Sequence, residues 1–361
     1  TFCSELNQQI QLNLRTDAIV GKYYLITRKN NKFTWSSLAD FSSNKDGLMP
    51  AVHVTNPNDH SWKTLIAPTD YILDIDNKSI NHRPDLWGHY GVAREIAAFL
   101  EKKLVSIDSL LAKTTIQHEP LQATNSDLTI ILKNPEACLR VAAVKCNNVT
   151  IQDSDIVMAI NLARCDIKPI NAMVDITNFV MLDLGHPMHA FDASTFDKNI
   201  LVVRSPENKE ELQLLDGQTI NLEPNDIIIA NQNNPVSLAG IMGGKHSGIN
   251  NQTTNVILEA AGFDPLVIRK TATRTKLRTE SCMRFEKHLD PMQNVTAIKR
   301  FLKIAQTLQL IDNKPYEILS VGTIIEPITH LVTHSYFENQ IGTALDRSFI
   351  EKTLQKIEFT V

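Results

Sequence analysis

The chain has 361 residues, 43% of them hydrophobic and 21% charged, with a formal net charge of −4. That composition is ordinary for a globular protein and predicts two or three domains of about 100–200 residues. It excludes polyanion binding by bulk charge, so any nucleic-acid surface must be a local basic patch. The cysteines Cys3, Cys138, Cys146, Cys165 and Cys282 form no C-x-x-C pair and have no histidine at zinc-finger spacing; reduced structural thiols in a cytosolic protein are expected. There is no signal-peptide pattern and no run of about 18 apolar residues to suggest a membrane. Because Thr1 stands where Met would and the sequence stops at "KIEFTV" directly after an amphipathic segment, a fragment of a longer polypeptide is expected.

Residues 1–80 have a β-rich, irregular composition, and "KYYLITRKNNKFTW" predicts a hairpin around Asn30-Asn31. "NHRPDLWGHYGVAREIAAFLEKKL" predicts a helix with Pro84 in its first turn and Leu86, Tyr90, Ala93, Ile96, Ala97 and Leu100 along one stripe. Residues 105–137 read as a polar connector. "LRVAAVKCNNVTI" alternates like a strand, and "DSDIVMAINLARC" predicts a helix capped by Asp153 or Ser154, with Ile156, Ile160 and Ala163 inward. Strands follow at "ILVVRSP", "DIIIAN", "PVSLAGIMGG" and "NVILEAAGF", with a hairpin at Asp216-Gly217. Asp264-Pro265 and Asp290-Pro291 each open a helix, the second with Val295, Ile298, Phe301 or Leu302, and Ala305 as its apolar stripe. The expected class is α+β, multi-domain, with mixed, mainly antiparallel sheets and flanking helices. The divisions are 1–105 (β-rich region with a helix), 106–138 (connector), 139–325 (the main domain) and 326–361 (the start of a further small domain).

The run "VDITNFVMLDLGHPMHAFD", residues 174–192, is apolar yet carries Asp175, Thr177, Asn178, His186, His189 and Asp192. A polar group buried without a partner costs roughly 1–3 kcal/mol. These groups therefore either satisfy one another or line a cavity.

In order, "INAMVDITNFVMLDLGHPMHAFD", "LLDGQTINLEPNDIIIAN" and "VSLAGIMGGKHSGINNQTTNVILEAAGFDPLVIRKTATRTKLRTESCMRFEKHLDP" resemble the β subunit of bacterial phenylalanyl-tRNA synthetase. "NHRPDLWGHYGVAREIAAFL" is similar to the family's segment before its editing domain. The resemblance covers roughly residues 70–310, and the N-terminal tRNA-binding module of many family members is not evident. It implies a cytoplasmic ligase that joins phenylalanine to tRNA(Phe) as an α/β heterotetramer. ATP and magnesium would serve the α subunit, with no cofactor in this segment and no DNA partner. It also implies that residues 139–325 form the editing (B3/B4-like) domain, which hydrolyses mischarged Tyr-tRNA(Phe).

On that resemblance Glu259 recognises the tyrosine hydroxyl. A pocket that bonds this hydroxyl rejects phenylalanine, which leaves a buried polar group unpaired, and an ionised carboxylate would bond it strongly. A salt-bridged glutamate at a strand end is the alternative. His189 orients the ester or water, or carries a proton; the alternative is a core histidine bonded to a carbonyl. Thr177 and Asn178 contact the terminal ribose or ester, while Asp175 and Asp192 brace the loop through backbone N–H groups. Ala239 and Gly240 form the pocket floor, Thr279 lines it, and His186 is expected at the surface. Gly243-Gly244, which end "SLAGIMGG", match neither G-x-G-x-x-G nor a Walker pattern and form no phosphate loop.

Arg269, Lys270, Arg274, Lys276, Arg278, Arg284 and Lys287 outnumber Glu280 and Glu286 within one stretch. Arg269, Lys270, Arg274, Lys276 and Arg278 are the candidate tRNA contacts; a solvated helix face is the plainer reading. Two departures from the family pattern bear on docking: the wording of "NHRPDLWGHYG", and Cys282 and Lys287-His288 where Ala and Arg-Gly are common. A non-catalytic scaffold that docks tRNA and the α subunit, and a free-standing deacylase, are the competing functions.

Overall fold

The hairpin at Asn30-Asn31 forms as its sequence dictates. Strands Ile26–Lys29 and Lys32–Trp35 pair antiparallel around two residues with φ of +47° and +62°, the left-handed pair that a two-residue hairpin requires and that asparagine tolerates. The structure is a computed structural model that describes residues 2–3, 6–42, 46–67, 69–71, 73, 75, 80–207 and 209–361.

Beyond the N-terminal region the elements run α1 (His89–Phe99), β1 (Thr114–Glu119), β2 (Gln122–Thr124), β3 (Thr129–Leu132), β4 (Cys138–Cys146), α2 (Ile156–Arg164), α3 (Ala172–Leu184), β5 (His189–Asp192) and β6 (Ile200–Arg204). Next come β7 (Ile228–Ala230), β8 (Pro235–Leu238), β9 (Met242–Gly243), β10 (Val256–Phe263), α4 (Pro265–Thr275), α5 (Glu280–Phe285), α6 (Gln293–Thr307), β11 (Tyr316–Gly322), α7 (His334–Ile341) and α8 (Arg347–Lys356). One sheet has the order β5-β10-β4-β11-β1 and the other β9-β8-β7-β6-β3-β2. Only the β11–β1 and β6–β3 pairings within them are parallel, so the fold is the mixed, mainly antiparallel α+β arrangement expected.

Period-two alternation divides the first sheet between two cores. Ile257, Ala261 and Phe263 of β10, with Val141 and Ala143 of β4, face the second sheet's Ile130, Leu201, Val203 and Ile229. Val256, Leu258 and Ala260, with Ala142 and Val144, face helices α3 and α6 through Met173, Ile176, Ile298 and Phe301. The α6 stripe of Val295, Ile298, Phe301, Leu302 and Ala305 is buried as its spacing predicts. Ile156, Ile160 and Ala163 of α2 face Leu38, Met49 and Val52 of the N-terminal region.

Several sequence expectations are corrected. Residues 106–138 are not a connector: they supply β1 to one sheet and β2 and β3 to the other. The strands at β1 and β2 are short and largely exposed on their outer faces, so no apolar period marks them. Pro84 opens a separate 3₁₀ turn, Pro84–Trp87, and Gly88 is extended before α1 begins. In α1 only Gly91 is buried, and Ile96 and Leu100 lie exposed. The α2 cap is Asp155, which accepts from the Val157 and Met158 amides. Asp153 is instead drawn to Lys22 (2.8 Å), and the Ser154 hydroxyl donates to Asp175. Asp264 caps α4 as expected, but Asp290 caps a turn before α6, accepting from the Met292 amide at 2.8 Å. Residues 326–361 hold α7 and α8, tied back to α1 by Arg94–Glu358 (2.8 Å) and to Glu101 just beyond α1 by Lys356 (2.9 Å).

Candidate functional site

The edge strand β5 pairs antiparallel with β10, and its register sets His189 directly opposite Glu259. Glu259 shares the β10 face of Ile257 and Ala261 and His189 the β5 face of Phe191, so both point toward the second sheet. The two residues are far apart in sequence, and the pairing makes them side-by-side neighbours, with Cα atoms about 4.5–5.5 Å apart. Among the described residues no protein hydrogen bond reaches the Glu259 carboxyl, which is 5% exposed, and burial alone pushes its pKa to about 8. The His189 Nε2 is likewise buried without a partner; its ring packs edge-on to Phe191 with centroids 4.4 Å apart, and burial holds its pKa at about 4. Burial thus favours the neutral form of both groups, so the carboxylate expected to be ionised is held toward its protonated form.

The opposite wall is the turn between β8 and β9. Gly240 has φ of +70°, and a Cβ there would sit 2.9 Å from Ile268 Cδ1 and 3.0 Å from Phe263 Cδ2; only glycine fits both the conformation and the space. Gly243 lies against the His189 ring, where a Cβ would come within 2.5 Å of Cε1. Ala239 is buried in the inter-sheet core. Thr279 is the N-cap of α5: its hydroxyl oxygen accepts from the Cys282 amide, and its proton goes to the Ile241 carbonyl at 2.9 Å. That bond ties α5 to the glycine turn. The Cys282 sulfur closes the cap by accepting from the Thr279 amide (3.2 Å).

The structure brings His189, Glu259, Ala239, Gly240 and Thr279 to one region between the sheets and α5. Thr177 has a different use: buried in α3, it donates its hydroxyl proton to the Val174 carbonyl at 2.6 Å, which leaves it no proton for a ligand. Asn178 is half-buried. It lies one turn before Met181, whose sulfur is 3.9 Å from the Ser281 hydroxyl, so its helix face is the one turned to α5. Asp175 and Asp192 are braces, as expected. Asp175 accepts the Ile170 amide at 3.0 Å as well as the Ser154 hydroxyl, with burial lifting its pKa to about 6. Asp192 accepts from the Ser194 amide (2.9 Å) and the Thr253 hydroxyl (2.6 Å).

His186, expected at the surface, is 0% exposed. Neither ring nitrogen has a hydrogen-bond partner, and the ring lies edge-on to Phe285 at 6.0 Å. Its signal in the sequence was its place three residues before His189 in an apolar run. The upstream segment is a second omission, because it clamps the turn that carries His186. A Cβ on Gly88 would fall 2.3 Å from the Gly185 nitrogen, and one on Gly185 3.1 Å from the Trp87 carbonyl carbon. Gly185, at φ +77°, ends α3. His89 Nδ1 bonds the Leu182 carbonyl (2.8 Å), and Arg284 Nε donates to the Trp87 carbonyl (3.3 Å). The motif "DLWGH" is thus a bracket across α3 and α5.

The basic stretch separates into two kinds of residue. Arg274 is held by the buried Asp226 and by Glu223, and Arg278 approaches Glu286 at 3.9 Å. Arg284 is buried against Glu280 at 2.7 Å, and the Lys287 ammonium lies over the Trp87 ring. Arg269, Lys270 and Lys276 are exposed. His288, where the family commonly has Gly, holds φ of +54°, the left-handed region that glycine enters freely. Among the described residues no group of three or more His, Cys, Asp or Glu is placed to hold a metal ion. None of their helices is long and apolar enough to cross a membrane.

Comparison with known proteins places the site in context. The B3/4 domain family matches residues 137–309. The chain is 34% identical over 299 residues to the phenylalanine–tRNA ligase beta subunit of Solibacter usitatus, covering 81% of this chain and 37% of that protein. It is 36% identical over 310 residues to that of Lactobacillus johnsonii, covering 84% and 37%. A solved N-terminal fragment of the phenylalanyl-tRNA synthetase beta subunit from Pyrococcus horikoshii aligns at 15% identity with a TM-score of 0.37, over 78% of this chain and 75% of that one. The chain spans about 37% of the length of the bacterial relatives it matches. It belongs to the phenylalanine–tRNA ligase beta-subunit family and carries that family's B3/4 domain.

Proposed function

We propose that this chain is the proofreading part of a phenylalanine–tRNA ligase beta subunit, and that its B3/4 domain hydrolyses Tyr-tRNA(Phe). One observation carries the reading: a glutamate and a histidine sit side by side among buried apolar residues between the sheets, with no protein hydrogen bond to the Glu259 carboxyl or the His189 Nε2. Buried polar groups in folded proteins are nearly always hydrogen-bonded, so these two await a partner from outside. A phenol hydroxyl supplies it, because it donates one hydrogen bond and accepts others, and a protonated carboxyl can answer both. A phenylalanine ring leaves the same groups unsatisfied, and discrimination follows from that penalty.

His189, opposite Glu259 in the strand register, serves the recognition end of the ligand in this reading. The ester then lies a ring's length away, toward α5 and Asn178. Admission requires the surrounding side chains to move aside, and the Met181–Ser281 contact between α3 and α5 is the yielding part of that wall. With no strongly basic side chain at the ester end, a hydroxyl of the terminal ribose assists deprotonation of the attacking water. Arg269, Lys270 and Lys276 guide the acceptor end of tRNA(Phe). The α subunit, in the cytoplasmic α/β enzyme, supplies aminoacylation with ATP and magnesium.

The test uses Tyr-tRNA(Phe) and Phe-tRNA(Phe), each charged beforehand and offered to the chain alone and to the chain with its α subunit. The expected result is rapid loss of tyrosine and retention of phenylalanine, with that preference abolished in Glu259→Ala. Equal clearance of Tyr-tRNA(Phe) by the variant and the wild type refutes the role of Glu259. Binding of charged tRNA without hydrolysis by either would establish a scaffold.

A further inference from the structure

Nine buried side-chain nitrogen or oxygen atoms among the described residues have no hydrogen-bond partner, and three of them belong to His186 and His189. Such clustering within four residues marks a place rather than scattered imperfection. The register shows where that place is. His189 is opposite Glu259 and the strands are antiparallel, so residues before His189 run alongside Gly262 and Ala261 of β10. Ala261 follows Glu259 on the same face, about 6–7 Å further along the strand. The Ala261 carbonyl approaches the His186 ring as a weak backbone hydrogen-bond acceptor. Phe285, edge-on to His186, also stacks with Phe263 at 5.1 Å and closes on Gly240. His186 therefore stands near Ala261, the next residue along the β10 face that carries Glu259.

We propose that His186 is a second polar contact of this region, hydrogen-bonding the ester end of the bound aminoacyl group while Glu259 and His189 hold its hydroxyl end. The assignment rests on the proposed deacylation and adds the residue that meets the reacting end. A neutral imidazole offers one N–H and one lone pair. It can orient the attacking water or the ester carbonyl without bringing a charge into the buried region. The Ala261 carbonyl faces the ring but lies outside good hydrogen-bond geometry, so neither ring nitrogen is fully satisfied within the protein. The Gly88–Gly185 crossing, directly before it, fixes the backbone from which it projects.

The test compares His186→Leu and His186→Gln in the full chain by thermal unfolding and by steady-state deacylation of Tyr-tRNA(Phe). Leucine fills similar space and removes both unpartnered nitrogens. Its melting temperature is expected at or above that of the wild type, while kcat falls at least tenfold and KM changes less than threefold. Glutamine, which keeps a donor and an acceptor, recovers part of kcat. Wild-type kcat in an intact His186→Leu protein overturns the assignment, and so does a parallel fall of melting temperature and activity in both variants, which would make His186 a packing residue. If the wild type shows no turnover, alone or with its α subunit, the proposed function fails and this assignment with it. If wild-type turnover is lost in Glu259→Ala yet unchanged in His186→Leu, this assignment alone fails.

Discussion

Replacing Glu259 with glutamine should make stability less dependent on pH, and the size of the effect follows from burial. The carboxyl has an ordinary value of 4.5 and is pushed to about 8 in the fold by burial. In that interval the folded protein holds a proton that the unfolded chain has released, so the stability contributed by the proton is complete below 4.5. It declines as pH rises and is gone above about 8. At 1.36 kcal/mol for each tenfold change in proton activity, the full loss is about 5 kcal/mol. Glutamine has nearly the same shape and no titration. Glu259→Gln should therefore resemble the wild type below pH 4.5 and exceed it by about 3–5 kcal/mol at pH 8.5. His186 and His189, which burial holds at about 4, favour the fold as pH rises from 4 to 6.5; being common to both proteins, they cancel in the difference. Urea unfolding of both proteins at pH 5, 7 and 8.5, with coincident circular dichroism and fluorescence transitions to verify a single step, measures the gap. A gap that stays constant across this range would show that the Glu259 carboxyl finds water or a partner in the fold and is not left unsatisfied.

Gly88→Ala should destabilise the chain by about 1–3 kcal/mol, as overpacking does, because its Cβ would meet the Gly185 backbone. Tyr-tRNA(Phe) deacylation should fall with it through displacement of the His186 turn, and melting and activity assays on the same preparation check both. Arg274→Ala should cost about 2–3 kcal/mol by leaving the buried Asp226 without its cation, seen as a lowered urea midpoint. Arg269→Ala and Lys270→Ala should leave that midpoint unchanged while weakening tRNA binding and flattening its salt dependence, read by filter binding at several salt concentrations.

Where a residue's role is set by its neighbours in the chain, the sequence was informative. The Asn30-Asn31 turn, the Asp264 cap and the α6 stripe all follow from local rules. Residues whose role depends on a distant partner were less legible. Ser154 was a plausible cap until Asp175 took its hydroxyl. Arg274 was one cation among seven until Asp226, 48 positions away, claimed it. The pairing of His189 with Glu259 is a matter of strand register, which periodicity does not supply; the family resemblance named both residues, and the fold set them side by side. His186 matches no histidine of the family pattern and sits beside Gly and Pro, so little in the sequence marks its burial, which comes from β10 and α5 packing over it.

The contact between Gly88 and Gly185 also has an implication for how this protein can vary. Each residue occupies room the other would need for any side chain, so the two positions behave as a single inherited unit. A chain that acquired a side chain at either place could keep its architecture only by parting the two backbones, and that shift would move the histidine immediately following Gly185. Tolerance to change at position 88 is thereby set by the fidelity demanded at position 186, although the two lie nearly a hundred residues apart.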